Sequence, residues 1–261
     1  MKGTATRSAS RQVARELTLD VPAEAVWKAL TDAAELTRWF PLEARVRPGS
    51  GGAIWMKWEG VYEAESPIEA WEPGRHLRTV FPLHEPVRLS TDYYLESDKG
   101  RTVLRVVTSG FGEGTDWDEW FAGVNTGWDF ELRSLKHYLE RHQGTDRVAL
   151  SVRASYRSST ADAWNRLAGI GAWLSFDEVS VAGSRYRART QTGEELTGMV
   201  EQWLPPRQVV LTVDQYNDGI MRLETERGNA MVLWLATWGV AEPLVRTLER
   251  SWQGSVEQAL R

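Results

Sequence analysis

Cysteine is absent from this chain of 261 residues. Its absence removes disulfides, thiolate nucleophiles, thiolate-bound zinc and iron–sulfur clusters together. Histidine is scarce, with only His76, His84, His137 and His142, so no multi-histidine metal centre and no metal is expected. No run approaches the roughly 18 consecutive apolar residues that a membrane-spanning helix requires. Positive charge is not in excess either: 31 bases against 36 acids leave a net charge of −5. Neither nucleic acid nor a membrane surface is therefore expected as a partner. Met1 to Gln12 lacks the apolar stretch of a secretory signal and reads as a polar leader, which makes a cytoplasmic location the expectation. Motifs of nucleotide and hydrolase chemistry are missing as well. Pro48-Gly49-Ser50-Gly51-Gly52 lacks the Gly-Lys-Ser/Thr ending of a phosphate loop and reads as a turn. Neither a Gly-x-Ser-x-Gly elbow nor a His-Glu-x-x-His segment occurs.

Aromatic bulk, by contrast, is plentiful: 14 tryptophans and 7 tyrosines. Many apolar rings with few reactive side chains favour binding over chemistry. Along the chain, Val13, Arg15, Leu17 and Leu19 alternate as a strand. Val21-Pro22-Ala23-Glu24 then opens a helix that continues through Val26, Trp27, Ala29 and Leu30. Asp32 caps a second short helix ending at Trp39-Phe40 before Pro41. Short β-rich runs follow at Ala53–Trp58, Val61–Trp71, Leu77–Phe81, Val87–Glu96 and Thr102–Thr108. Their short spacers predict antiparallel hairpins. Phe121, Val124, Trp128, Leu132, Leu135 and Leu139 are spaced 3, 4, 4, 3 and 4, a helical stripe that must lie on the sheet.

The order then restarts. Val148–Ser155 reads as a strand and Ser159–Leu167 as a capped helix, with Trp164 in the place of Trp27. Trp203-Leu204-Pro205-Pro206-Arg207-Gln208-Val209 mirrors Trp71-Glu72-Pro73-Gly74-Arg75-His76-Leu77, and Trp252 in a closing helix answers Trp128. Three landmarks in one order predict a duplicated fold, with domains at 13–143 and 147–261. Every lysine and every histidine falls in the first half, residues 1–146, so ionisable chemistry is more plausible there.

The first copy resembles the bacterial relatives of the C-terminal domain of the Hsp90 ATPase activator, within the START-like (SRPBCC) superfamily. The resemblance rests on Val21-Pro22-Ala23-Glu24-Ala25-Val26-Trp27, Leu36-Thr37-Arg38-Trp39-Phe40, and Trp71 to Leu77. It continues through Ser109-Gly110-Phe111-Gly112 and Gly127-Trp128. The second copy looks like a degenerate version, without the Trp-Phe pair and without a Ser-Gly-Phe segment. The resemblance implies an α+β fold: two tandem helix-grip domains, each a curved antiparallel sheet around a long C-terminal helix. It implies no universal catalytic motif. Members bind apolar molecules, some cyclise or hydrolyse polyketide-like substrates, and some act as co-chaperones.

The expected function is binding of a hydrophobic small molecule, without turnover and without a cofactor, in a cavity between the first sheet and its long helix. A cyclase or hydrolase and a co-chaperone-like module with a protein partner are the alternatives. Trp58, Trp120, Phe121, Val124 and Trp128 are the candidate walls of that cavity; Tyr62, His76, Asp92 and Tyr94 are the candidates to orient a ligand in it. Trp27 and Trp128 recur in both copies, so packing is their first assignment. Trp120 lies in Asp116-Trp117-Asp118-Glu119-Trp120, which reads as a helix start or as a lid at the cavity mouth. His76 reads first as a surface residue; a catalytic role would need an inward partner such as Glu63, Asp92 or Tyr94. Arg185, Arg187 and Arg189 share one strand face, either solvated or open to an anion.

Overall fold

In the computed structural model, which describes residues 11–58, 63–84, 87–178, 181–226 and 229–261, the chain divides into two units, Met1–Gly144 and Thr145–Arg261. The leader to Ser10 and Tyr62 lie outside the described residues.

The first unit runs β1 (Gln12–Leu19), α1 (Ala23–Thr31), α2 (Ala33–Thr37), β2 (Glu43–Arg47), β3 (Ala53–Lys57), β4 (Glu63–Glu72), β5 (His76–His84), β6 (Val87–Asp98), β7 (Arg101–Ser109) and α3 (Thr115–Arg141). Its seven strands form one antiparallel sheet in the order β1-β7-β6-β5-β4-β3-β2. Strand β2 escapes the periodicity reading because Glu43-Ala44-Arg45-Val46-Arg47 is a charged edge strand with little apolar signal.

The second unit runs β8 (Arg147–Ser155), α4 (Thr160–Leu167), β9 (Ala168–Gly169), β10 (Leu174–Phe176), β11 (Arg185–Thr190), β12 (Glu195–Leu204), β13 (Gln208–Val213), β14 (Gly219–Glu226), β15 (Ala230–Trp238) and α5 (Glu242–Ala259). Where the first unit has α2, the second has the short strand β9, which pairs in parallel with β10. The order is otherwise repeated: β8-β15-β14-β13-β12-β11-β10-β9. The register of β4 on β5 shifts between Ile68 and Ala70, and that of β12 on β13 between Val200 and Gln202. These irregularities sit at the same distance before the two turns that the sequence already matched. The chain is thus an α+β protein of two tandem helix-grip units. Arg185, Arg187 and Arg189 form an exposed face of β11, each facing an acid: Asp214, Asp177 and Glu195 respectively.

In each unit the last helix closes the open edge of the first strand. Lys136 donates to the Thr18 carbonyl, and Glu140 accepts from the Asp20 amide, both at 2.8 Å. In the second unit Glu249 accepts from the Ser151 amide, and Gln253 both accepts from the Arg153 amide and donates to its carbonyl. Free strand edges are templates for unwanted pairing, and these side chains occupy them.

The C-terminal half of α3 is anchored to α2. Ser134 donates to the Trp39 carbonyl at 2.9 Å, and the Tyr138 hydroxyl donates to the Glu35 carboxylate. Glu35 is buried and also meets Lys28 at 3.1 Å and Arg38 at 2.9 Å. Burial alone would raise its pKa, but the hydrogen bonds from Tyr138 and Lys28 and the two cations outweigh that and hold it below the usual carboxylate value. Burial and the Glu35 carboxylate together push the Tyr138 phenol up to about 12.

The two helix stripes are buried to different depths. Along α3, Leu132, Leu135 and Leu139 are buried, whereas Phe121, Val124 and Trp128 are half-buried. On α5, Leu244 is exposed, but Leu248, Trp252, Val256 and Leu260 are all buried, with Trp252 at 0 % exposure. Trp173 meets Trp252 edge to face at 5.5 Å and Tyr216 meets it at 6.4 Å, so aromatic side chains fill the second interior.

Two outcomes follow. Because the folded pKa of Glu35 is lowered, its stabilisation is present above the ordinary value of 4.5 and is lost as pH falls through the folded value. Thermal unfolding of wild type should therefore drop in Tm more steeply below that pH than unfolding of Glu35→Gln, and the two curves should converge in acid. Trp252→Ala should cost about 3–5 kcal/mol in denaturant unfolding, the range for a fully buried large aromatic, and Trp128→Ala about half as much.

Candidate functional site

Strand register decides which residues face α3. Val13 pairs with Thr108, Thr108 with Thr91, and Thr91 with Thr79, which defines the inner face. In the row beside it, Tyr93 lies between Leu77 and Val106. On this face the half-buried part of the α3 stripe meets an aromatic wall. Phe40 stacks on Trp39 at 4.9 Å, meets Trp58 edge-on at 5.3 Å, and lies 6.2 Å from Trp128. Trp128 also meets Tyr93 edge to face at 5.8 Å. Among these rings only Trp39 and Tyr93 are buried; Phe40, Trp58 and Trp128 are each half-buried. A small cavity of about 20 Å³ lies beneath them, lined by Leu36, Phe40, Met56, Leu77, Thr79 and Tyr93 among others.

Toward the N-terminus of α3, Phe111 meets Phe121 at 5.2 Å and Trp117 at 6.3 Å, while Val13 and Leu89 complete the floor. The Ser-Gly-Phe-Gly segment makes this packing possible. Gly110 has φ +100°, and a Cβ there would lie 2.5 Å from the Arg88 carbonyl oxygen. A Cβ on Gly112 would lie 2.3 Å from the Trp117 indole nitrogen, so only glycine lets that ring lie flat on the backbone. Trp120, in contrast, is 43 % exposed and points away from the packed rings of this cluster.

The polar groups of the inner face are hydroxyls and one indole. Trp128 Nε1 donates to Thr108 at 2.9 Å, and Thr108 shares a hydrogen bond with Thr91 at 3.0 Å. Tyr93 is hydrogen-bonded to Thr79, and its burial pushes the phenol well above its usual pKa, so it stays protonated. Sequence reasoning missed Phe40 and the three threonines as site residues. Their alternation with apolar neighbours was the available signal, but facing threonines become visible only once register is known.

Three of the ligand-orienting candidates are misplaced by the sequence reading. His76, Asp92 and Tyr94 lie on the outer face of the sheet, opposite the cavity. His76 pairs with Tyr94 and Arg78 with Asp92, in the alternate phase to Leu77 and Tyr93. Adjacent strand residues point to opposite faces, so Tyr94 cannot share the face of Tyr93. The three do come together with one another. His76 Nε2 lies 2.8 Å from the Asp92 carboxylate, Arg78 reaches its other oxygen at 3.3 Å, and the His76 and Tyr94 rings stack in parallel at 4.5 Å. Asp92 is only 5 % exposed, and these two partners meet its carboxylate oxygens. Asp92 and Tyr94 border an open outer groove of about 480 Å³ with Glu16, Glu96 and Arg105.

No helix among the described residues is long and apolar enough to cross a membrane. No curated protein matches the chain. Several solved structures are similar to this chain. A Mesorhizobium loti protein is 24 % identical with a TM-score of 0.46, over 51 % of this chain and 99 % of its own. DynU16, a putative protein in the dynemicin biosynthetic locus, is 17 % identical with a TM-score of 0.45, over 95 % of this chain and 96 % of its own. The di-domain ARO/CYC BexL, from the BE-7585A biosynthetic pathway, is 16 % identical with a TM-score of 0.44, over 96 % and 99 %. Residues 20–140 match the family described as activator of Hsp90 ATPase homolog 1-like protein. That span runs from just after β1 to the last turn of α3 and contains both the aromatic wall and the anchor of Glu35, so what the first unit is similar to includes the whole of the candidate site.

Proposed function

We propose that the first unit binds an apolar, ring-bearing small molecule between the N-terminal half of α3 and the inner face of the sheet, without chemical turnover. One observation carries this reading. The α3 stripe is only half-buried at Phe121, Val124 and Trp128, where the matching stripe of α5 is sealed around Trp252. Apolar rings left half-buried in a domain that buries the rest of the same stripe mark a surface with unused capacity for apolar contact. The hydroxyls beside it, on Thr91, Thr108 and Tyr93, suit a ligand with one polar end. As folded, the cavity has room for about one water molecule, so a larger ligand enters only when a lining side chain such as Phe40 turns aside.

Turnover is not part of the reading, because the histidine–carboxylate pair that would exchange protons lies on the other side of the sheet. The groups that do face the space are hydroxyls, and the phenol among them is held protonated by burial. They can hold a ligand but supply no base near neutral pH.

The test is a titration with a fluorescent apolar probe. Wild type should bind it, Val124→Trp should weaken binding at least tenfold by filling the space, and His76→Gln should bind as wild type does. Equal binding by wild type and Val124→Trp would remove the inner site. Loss of binding in His76→Gln, with Tm retained, would move the site to the outer groove. His76→Gln should itself cost about 1–3 kcal/mol, because it weakens the pairing of a buried carboxylate.

A further inference from the structure

The outer face of the first sheet carries a groove of about 480 Å³ that the inner space does not use, lined by residues of β1, β6 and β7. That volume lies within the range of small-molecule sites. Its centre is one cross-strand row, Glu16–Arg105–Tyr94–His76, in which each residue pairs with the next across four neighbouring strands. Val103 and Val107 flank Arg105 along β7 and form an apolar floor, and Glu96 stands opposite Val103. Residues two apart on a strand share a face, so these groups point the same way.

Two features of this row point to a ligand. The first is charge left unmatched. Glu16 and Arg105 are direct antiparallel partners, a position at which opposite charges ordinarily pair. Both are exposed, as is Glu96, and none of the three makes an ion pair among the described residues. The neighbouring cation Arg78, by contrast, is matched by Glu69 and Asp92. The second feature is a ring held ready. Buried Asp92 fixes His76, and His76 stacks on one face of Tyr94 at 4.5 Å, 4° from parallel. Tyr94 is still 40 % exposed, and its side away from His76 borders the groove. A planar ring laid there would bury apolar surface against Tyr94, Val103 and Val107, on a platform already ordered before binding.

We propose that the outer groove is a second binding site, for a zwitterion that carries a planar apolar ring, of the class of an aromatic amino acid. The ring stacks on Tyr94, the anionic group of the ligand meets Arg105, and its cationic group meets Glu16 or Glu96. Asp92 and His76 are positioning residues that act through the Tyr94 ring. The site is independent of the inner space, because the sheet lies between them and the two ligands differ in charge.

Isothermal titration of the full-length protein with three probes that share an indole ring tests the site. Tryptophan carries both charges, tryptamine only the cation and indole-3-acetate only the anion. Tryptophan should bind about fivefold more tightly than either analogue, the scale of one exposed ion pair. Arg105→Gln should bring tryptophan down to the affinity of tryptamine, and Glu16→Gln combined with Glu96→Gln should bring it down to that of indole-3-acetate. Tyr94→Ala should weaken all three probes about tenfold, the scale of one aromatic stacking contact. His76→Gln should weaken all three by a smaller factor and leave the preference for tryptophan intact. Each of these variants should bind the fluorescent apolar probe of the inner space as wild type does, so the two sites stand or fall separately. Equal affinity for the three indoles, tryptophan binding that survives Arg105→Gln undiminished, or no binding of any of them overturns the outer site.

Discussion

The Glu35 carboxylate and the helix that it anchors set the geometry of the first unit. Tyr138 on α3, Lys28 on α1 and Arg38 beyond α2 all converge on this one buried acid. Removing one partner from a buried charged cluster costs about 3–5 kcal/mol, because the remaining charge is left without compensation. The cluster therefore fixes where the C-terminal half of α3 lies, and with it the burial of Leu132, Leu135 and Leu139. The N-terminal half extends from this anchor over the sheet. Its contacts are largely apolar and leave Phe121, Val124 and Trp128 half-buried, and that difference along one helix sets the candidate site apart.

The two units solve the same topological problem with different chemistry. Both leave an open edge on their first strand, and both cover it with polar side chains of their last helix: Lys136 and Glu140 in one, Glu249 and Gln253 in the other. Their interiors diverge. Trp128 donates its indole proton to a threonine that belongs to a row of facing hydroxyls. Trp252 donates to Glu194, which also accepts from Thr190 and Thr192, and it is sealed by Trp173 and Tyr216. One copy buries the helix stripe around its tryptophan fully and the other only in part.

The outer face of the first sheet shows how a plausible catalytic pair arises for structural reasons. Asp92 is nearly inaccessible, and His76 and Arg78 satisfy it as any buried carboxylate must be satisfied. Tyr94 covers the imidazole from above. A histidine–aspartate contact identifies chemistry only when it faces a bound substrate, and here the apolar space lies on the opposite side of the sheet.

Periodicity and landmark order were enough to determine the tandem α+β architecture. The 3–4 spacing of the helix stripe, the hairpin spacers and the recurrence of Trp27, Trp71 and Trp128 as Trp164, Trp203 and Trp252 are local features that one strand or helix imposes on its own residues. The aromatic character of the site was legible in the same way, through Phe121, Val124 and Trp128. What only the tertiary structure decided is which strand residues share that site. A shift of one position moves a side chain to the other face, and the register shift between Ile68 and Ala70 leaves no mark in composition. His76, Asp92 and Tyr94 therefore read as plausible inward groups, and Thr79, Thr91 and Thr108 went unseen, until the hydrogen-bond ladder across four strands placed the first three outside and the second three within.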